Sequence, residues 1–200
     1  MVIDVRRTDD IVSVAASLFR AKGYHATSMS DVAEACRIQK PSLYYHFASK
    51  EDLAIAVMKR TQEFFDSHIF IYAYDESLSS QSRLLKLNKA LEQYFSIKDS
   101  GCVFANFAIE TMESIPDFSD PIRHYFNCWS KAYQAIFHKL YKKDELEALA
   151  DGFVSDLQGA LIMMRVTGKD APLRRLSARL LEASHFDASA KKKASLKLSV

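Results

Sequence analysis

Glycine and proline are scarce in this chain, with five and four residues among 200. Glycine loosens the backbone and proline lacks the N–H that regular structure needs, so few breaks in its secondary structure are expected. Hydrophobic residues make up 48% of the chain, and they recur mainly at the helical period of 3.6 residues. We therefore predict an all-α protein of about nine helices with enough apolar surface for a buried core.

Cysteine is scarce too, and its spacing argues against two kinds of structural site. Cys36, Cys102 and Cys128 are odd in number and form no CxxC pair, which speaks against a disulfide framework and a zinc site. The chain also lacks HExxH, a glycine-rich phosphate loop and GxSxG, the motifs of common enzyme classes. We predict reduced thiols, no metal, no cofactor and no enzymatic activity.

Long apolar runs and a strong charge are also missing. No stretch approaches the roughly 18 apolar residues of a membrane span, and no charged segment followed by an apolar one opens the chain. These absences predict a cytoplasmic protein with no membrane partner. The net charge of +2 is too small to indicate a nucleic-acid partner. Residues 1–50 nevertheless carry seven Lys and Arg against five acidic residues, with Arg37, Lys40 and Lys50 close together.

The stretch 27–50 contains the signals of two short helices separated by a tight turn. Ser28 and Asp31 have the spacing of a capping box, which begins the first helix. Pro41 suits the first turn of a second helix over about 39–47, because its missing N–H costs nothing there. With a turn at Arg37, the pattern predicts a helix-turn-helix.

The second of these helices has one apolar and one polar face. Leu43 and Phe47 are predicted to face inward. The opposite face carries hydrogen-bond donors of the types that contact phosphates and base edges: Gln39, Lys40, Ser42, Tyr44, Tyr45 and His46. Such a surface suits a DNA groove.

From Ile11 to Leu53 the chain resembles the DNA-binding domain of the TetR (tetracycline repressor) family of bacterial transcription regulators. The resemblance lies in an amphipathic helix ending in KGY (22–24), in VAEA (32–35), and in LYYHF (43–47) followed by SKEDL (49–53). It implies a three-helix DNA-binding domain at 1–50 and a helical ligand-binding and dimerisation domain at 51–187. The lysine-rich tail at 188–200 is expected to be flexible.

Arg37 and Gln39 depart from the pattern of the family, which usually has glycine and serine at these positions. If Arg37 keeps a left-handed conformation, the substitution costs on the order of 1 kcal/mol. A phosphate contact by its guanidinium would offset this cost. We count both residues among the expected DNA contacts.

The resemblance also implies which other residues contact DNA. Base edges or thymine methyls are expected to face Lys40, Pro41, Ser42 and Tyr44. Phosphates are expected to contact Thr27, Ser28, Tyr45, His46 and Lys50. The alternative for Tyr44, Tyr45 and His46 is an aromatic cluster that caps the small core.

Breakers divide the second half of the chain. The segment 71–81, with acidic residues and serines, is predicted to be a loop. Pro116 is predicted to interrupt the helical pattern, and Asp120 with Pro121 to begin the seventh helix as its cap and first residue. Gly168 is predicted to end the eighth helix.

A ligand pocket in the second domain is expected to have mainly apolar walls and a few polar anchors. The candidates are Phe65, His68, Tyr94, Cys102, Phe104, Asn106, Phe107, Glu110, Tyr125, Trp129 and Tyr133. Asn106 and Glu110 lie one turn apart in an almost wholly apolar segment, where a polar group needs a partner. That partner is either an inducer or a neighbouring group of the chain, and each aromatic candidate could equally belong to the core.

In the family, the last two long helices pair with their copies in a second subunit. The resemblance therefore implies a homodimer interface that includes Gly152, Phe153, Leu157, Gly159, Leu176 and Leu180. Both glycines could instead serve packing within the chain.

Taken together, the resemblance implies a homodimeric repressor that binds a palindromic double-stranded operator and is released by a small hydrophobic or aromatic inducer. Two alternatives remain open. Cys102 is expected near a helix N-terminus, which lowers a thiol pKa, and could make the protein a redox or electrophile sensor, whereas a buried thiol would be inert. The other alternative is a helical ligand-binding protein without DNA function.

Overall fold

The computed structural model describes residues 8–95 and 101–184, and within these ranges the chain is helical and contains no strand. The helices are α1 (Thr8–Lys22), α2 (Met29–Ala35), α3 (Lys40–His46), α4 (Lys50–His68), α5 (Ser80–Phe95), α6 (Val103–Thr111), α7 (Pro116–Phe137), α8 (Lys143–Thr167) and α9 (Ala171–Ser184). The predicted all-α class is confirmed. The tail predicted at 188–200 lies outside the described residues. No helix in the described part of the chain is long and apolar enough to cross a membrane.

Two glycines end helices by adopting a left-handed backbone. Gly23 has φ +87° and its N–H donates to the carbonyl of Phe19 at 3.0 Å. Gly168 has φ +64° and its N–H donates to the carbonyl of Met164 at 2.8 Å. Because glycine has no Cβ, this conformation is cheap for it and satisfies carbonyls that the helix end would leave unpaired. The predicted end of α8 is confirmed.

The prediction for the start of α7 is wrong. The helix begins at Pro116, and Pro121 lies inside it rather than at its first position. Phe118, Ile122 and Tyr125 explain the difference, because they are each no more than 2% exposed and continue one apolar face through the proline. Burial of such side chains contributes about 1.5–3 kcal/mol each, which is enough to offset the loss of one backbone hydrogen bond.

The segment 71–81 is also less irregular than predicted. A short 3₁₀ helix occupies Phe70–Ala73, and α5 begins at Ser80. Phe70 and Ala73 are buried, so packing orders a stretch whose polar composition indicated a loop. Only the part between these two elements is irregular.

Contacts divide the described chain into two compact units. The first unit comprises 8–65 and 101–125, so it combines α1–α3 and most of α4 with α6 and the first part of α7. The second comprises 66–95 and 126–184. The functional domains at 1–50 and 51–187 remain a prediction.

An aromatic cluster forms the core of the first unit. Phe19 of α1 contacts Phe107 of α6 edge to face, with ring centroids 5.2 Å apart. Tyr24 contacts Phe118 of α7 in the same way at 5.4 Å. All four side chains are at most 2% exposed. Helix α6 is therefore packed against α1, immediately behind the helix-turn-helix.

The second unit has its own aromatic core. Trp129, Tyr133 and Phe137 follow one another at four-residue spacing on α7 and are fully buried. Phe153 of α8 contacts Tyr133 and Phe137, with centroid distances of 5.7 and 5.4 Å. Helix α9 packs against both α5 and α8 through a leucine face.

Candidate nucleic-acid interface

The start of α2 is fixed by the predicted capping box. The Ser28 hydroxyl oxygen accepts the Asp31 amide hydrogen bond at 3.1 Å, and the Asp31 carboxylate accepts the Ser28 amide bond at 2.7 Å. The Ser28 hydroxyl also donates to the Asp31 carboxylate, and this bond, followed by the one from the Ser28 amide, lowers the pKa of Asp31. The prediction is confirmed, and two amide groups that the helix start would leave unpaired have partners.

The turn between α2 and α3 has the left-handed residue expected there. Arg37 has φ +55°, the one non-glycine residue with positive φ in the described chain. Its N–H donates to the carbonyl of Glu34 at 2.9 Å, and the next amide, that of Ile38, donates to Ala33 at 3.0 Å. The backbone therefore forms a tight turn even though this residue is not glycine. The Arg37 side chain is exposed to solvent.

Helix α3 has the predicted two faces. Leu43 is fully buried and Phe47 is 8% exposed, while the polar side of the helix is open to solvent. Its exposed residues are Gln39, Lys40, Pro41, Ser42, Tyr44 and Tyr45. Gln39 occupies the N-cap without a side-chain hydrogen bond, so its amide is not used within the cap.

The two tyrosines of α3 do not cap the core. Tyr45 is 89% exposed and Tyr44 is 43% exposed. The Nζ atom of Lys40 lies 5.9 Å from the centroid of the Tyr44 ring. His46 is half-buried, and its Nδ1 shares a 3.2 Å hydrogen bond with the hydroxyl of Thr8. The exposure of both tyrosines therefore argues against the alternative in which they form an aromatic cluster over the core.

Lys50 is held beside the helix-turn-helix by Tyr24. Its Nζ atom donates to the Tyr24 carbonyl at 3.2 Å and lies 4.0 Å from the centroid of the Tyr24 ring. The Tyr24 hydroxyl donates to Glu51 at 2.7 Å, and this bond lowers the pKa of Glu51, while burial raises the pKa of Tyr24. The ammonium group is half-buried and held at the start of α4.

Thr27 occupies a different environment from the one predicted. Its side chain is fully buried, and its hydroxyl donates to the Gly23 carbonyl at 2.8 Å. A fully buried hydroxyl has no surface for a phosphate. We therefore assign Thr27 to the support of the loop before α2. The sequence alone did not distinguish this role from a phosphate contact, because a small hydroxyl residue suits both.

The ligand-binding candidates are divided between the two units. The first unit contains Phe65, Cys102, Phe104, Asn106, Phe107, Glu110 and Tyr125, and the second contains His68, Tyr94, Trp129 and Tyr133. Most of the aromatic candidates are buried in the cores of their units. The Tyr133 hydroxyl is buried without a hydrogen-bond partner among the described residues. Such a group is a possible polar anchor for a ligand.

Asn106 and Glu110 have partners within the chain. The Asn106 side-chain amide donates to the carbonyls of Phe19 and Arg20, both at 3.0 Å. The Glu110 carboxylate accepts the His25 amide bond at 2.7 Å. The sequence left open whether these polar groups bind an inducer or a neighbouring group of the chain. In the structure both bond to backbone groups in the last turn of α1 or just after it. We call this pair of residues the α6 clamp.

Cys102 is the N-cap residue of α6, which agrees with its predicted position near the start of a helix. It is 5% exposed, and burial raises the pKa of its thiol despite the backbone amides that act in the opposite direction. Cys36 is buried as well, and burial also raises its pKa. A thiol with a raised pKa is a poor nucleophile at neutral pH, which favours the inert alternative.

The expected interface residues fall into two groups. Phe153, Leu157, Leu176 and Leu180 are buried within the chain. Gly152 and Gly159 are exposed, and a Cβ added at either would meet nothing within 4 Å. Among the residues that the structure describes, the two glycines therefore do not serve close packing.

Sequence reasoning missed an exposed apolar strip on α8. Ile162, Met163 and Val166 are 58%, 47% and 74% exposed. Their spacing at i, i+1 and i+4 was the available signal, but a buried helix face gives the same pattern.

Residues 11–57 match the family described as "Bacterial regulatory proteins, tetR family", and residues 81–179 match "Transcriptional regulator LmrA/YxaF-like, C-terminal domain". The chain belongs to the TetR family of transcription regulators. Regulators of the TetR family bind operator DNA, and the helix-turn-helix described above is the part of this chain that falls in the first match.

The similarity to known regulators extends over most of this TetR-family chain. The transcriptional repressor DhaR of Mycobacterium sp. (strain GP1) is 26% identical over 186 residues, which cover 86% of this chain and 89% of DhaR. An uncharacterized HTH-type regulator of Lactococcus lactis is 27% identical over 177 residues, with coverages of 83% and 87%. A TetR regulator from Legionella pneumophila has the same fold, with a TM-score of 0.79 at 24% identity over 87% of this chain and 95% of that one.

Proposed function

We propose that this TetR-family regulator is a homodimeric repressor whose α3 helices enter successive major grooves of a palindromic operator. The observation that supports this most directly is the exposed face of α3, where Lys40, Ser42 and Tyr44 offer donors and Arg37 adds a charge beside them. Half-sites one helical turn apart, about 34–36 Å, suit a two-fold dimer of helix-turn-helix units. A DNA-binding regulator of this kind would act in the cytoplasm and needs no catalytic residue.

The surfaces of helices α8 and α9 are consistent with the proposed dimer. The groove between them has a volume of about 440 Å³ and is bordered by Gly159, Met163 and Leu176. A second copy of α8 could approach closely at the exposed Gly159, and the strip at Ile162 and Val166 would then be buried. Exposed apolar strips of this kind commonly mark protein interfaces.

A small hydrophobic or aromatic inducer would release the operator by favouring a dimer in which the two α3 helices no longer match the half-sites. An inducer acts in this way only to the extent that it binds the two states with different affinity. The buried thiol of Cys102 gives no comparable support to redox sensing.

The test is DNA binding by the full-length protein at several salt concentrations, on sequences selected from a random pool. Lys40→Ala should weaken binding and reduce the salt slope by about one charge if the ammonium contacts a phosphate, or relax base preference if it reads a base edge. Ser42→Ala should relax base preference and leave the salt slope unchanged. Lys86→Ala removes an exposed lysine of α5 and serves as the control.

Enrichment of a palindromic sequence and loss of affinity only in the α3 variants would support the proposal. If the wild-type protein enriched no sequence, or if Lys86→Ala weakened binding as much as Lys40→Ala, the assignment of α3 as the reading helix would be wrong.

A further inference from the structure

Tyr24 contacts two opposite charges at the start of α4. The Nζ atom of Lys50 lies 4.0 Å from the centroid of the Tyr24 ring and donates to the Tyr24 carbonyl at 3.2 Å. The Tyr24 hydroxyl donates to the Glu51 carboxylate at 2.7 Å. The same residue therefore holds an ammonium group and a carboxylate, while Lys50 and Glu51 take part in no ion pair among the described residues.

The ring of Tyr24 is fixed in the core of the first unit. It contacts Phe107 and Phe118 edge to face, at centroid distances of 5.7 and 5.4 Å, and Tyr24 is 2% exposed. The α6 clamp holds the backbone next to it, because the Glu110 carboxylate accepts the amide bond of His25. The ring is therefore a rigid support for the ammonium group, which is attracted to an aromatic face.

The Lys50 ammonium keeps donors for an anion. A lysine has three N–H donors, and the Tyr24 carbonyl is the one hydrogen-bond acceptor of Lys50 among the described residues. Lys50 is half-buried, so part of its side chain reaches solvent. A lysine loses rotamer freedom when it binds an anion. Because Tyr24 has already restricted Lys50, less of this freedom is left to lose when a phosphate binds.

Glu51 is the carboxylate that could withdraw this charge from DNA. It follows Lys50 in the chain and is exposed, and the charge of Lys50 is one of the effects that lower its pKa. The hydrogen bond from Tyr24 is the largest of these effects, ahead of the bonds from the Glu51 amide and the Ser49 hydroxyl. The Tyr24 hydroxyl therefore engages a carboxylate that would otherwise be available to Lys50.

We propose that Tyr24 is a positioning residue for DNA binding: its ring holds the Lys50 ammonium for a DNA phosphate, and its hydroxyl keeps the Glu51 carboxylate from pairing with that ammonium. The role assigned to Tyr24 rests on the proposed function, because it requires a DNA phosphate as the partner of Lys50. Tyr24 is itself buried and acts through these two neighbours without touching DNA.

Tyr24→Phe separates the hydroxyl from the ring. The variant keeps the aromatic packing and the ring beside Lys50, but it releases Glu51 to pair with Lys50. DNA binding should weaken about threefold to tenfold, because an exposed ion pair is weak and each subunit of the dimer contributes one. The salt slope should fall towards that of Lys50→Met, which removes about one charge per subunit.

The measurement is DNA binding by the full chain at several salt concentrations. It uses the sequence enriched from the random pool and an unrelated duplex of the same length. Tyr24→Phe should weaken binding to both duplexes by similar factors, because a phosphate contact carries no information about the bases.

Two variant backgrounds test whether Tyr24 acts through its charged neighbours. In Lys50→Met protein, Tyr24→Phe should weaken binding no further, because the ammonium is already absent. In Glu51→Gln protein it should also have little effect, because no carboxylate is left to compete. Asp52→Asn is the matched control: it removes the next exposed carboxylate, which is bonded to the Ser49 hydroxyl, and should leave the effect of Tyr24→Phe unchanged.

A purely structural role of the hydroxyl predicts a different pattern. If its loss only loosened the fold, Tyr24→Phe would weaken binding by the same factor in every background, and the salt slope would keep its wild-type value. That result, or wild-type binding by Tyr24→Phe, would overturn the proposal. Loss of the effect in the Lys50→Met and Glu51→Gln backgrounds, with its retention in Asp52→Asn, would support it.

A failure of the proposed function has a separate signature. It would appear as the absence of an enriched sequence for the wild-type protein, before any variant is made. The unrelated duplex still tests the role of Tyr24 in that case, because the attraction between a lysine and a phosphate does not depend on an operator.

Discussion

Substitution of Gly23 by alanine is expected to destabilise the first unit by about 2–4 kcal/mol. Gly23 has φ +87°, which costs an L-residue roughly 1–2 kcal/mol. The added Cβ would also overlap the Glu110 carboxylate, which would then have to leave the amide of His25. A hydrogen bond to a charged group contributes about 1.5–3 kcal/mol, and water at the exposed His25 amide would recover part of this.

The assay is urea unfolding followed by far-UV circular dichroism. The single tryptophan, Trp129, belongs to the second unit, so its fluorescence would report the wrong part of the molecule. With a slope of about 1–3 kcal/mol per molar urea, the midpoint should fall by about 1–2 M.

A double-mutant cycle separates the two contributions. In a Glu110→Ala background no carboxylate obstructs the new methyl group, so Gly23→Ala should cost only the backbone strain, about 1–2 kcal/mol. Equal costs in the two backgrounds would refute the claim that Gly23 is required for the approach of Glu110. A loss below about 0.5 kcal/mol in the wild type would refute the strain argument as well.

Three further predictions concern other parts of the chain. Ser28→Ala should destabilise the protein by about 0.5–2 kcal/mol in urea unfolding, whereas the exposed Ser30→Ala should have almost no effect; similar losses would argue against the cap. Tyr133→Phe should raise the unfolding midpoint, since it removes a buried hydroxyl without a partner, and a lower midpoint would reveal a bond to that hydroxyl. Ile162→Glu should convert the proposed dimer into monomers in sedimentation velocity, and an unchanged dimer would place the interface elsewhere.

Local signals in the sequence predicted the helix-turn-helix well. The capping box at Ser28 and the tight turn at Arg37 depend on residues within a few positions of one another. The inward face of α3 at Leu43 and Phe47 follows from helical spacing alone. Interactions of such short range need no knowledge of the rest of the fold, which is why the sequence was sufficient.

The expectations for a proline and for a polar residue were wrong where packing against distant parts of the chain determines the structure. Pro121 indicated a helix start, but the buried side chains around it, Phe118 and Ile122, continue α7 through it. The resemblance to the family implied a phosphate contact at Thr27, but the surrounding residues bury its side chain. Proline inside a helix costs about 3 kcal/mol, and the burial of several apolar side chains around Pro121 outweighs this cost.

The sequence by itself determined the helical class, the position of the helix-turn-helix and the family, because periodicity, caps and motifs depend on neighbouring residues. Only the tertiary structure decided which helices share a unit and which polar groups already have partners. Asn106 and Glu110 bond to backbone more than eighty positions away. Contacts at such separations depend on how the helices pack, and no pattern within one helix specifies that packing.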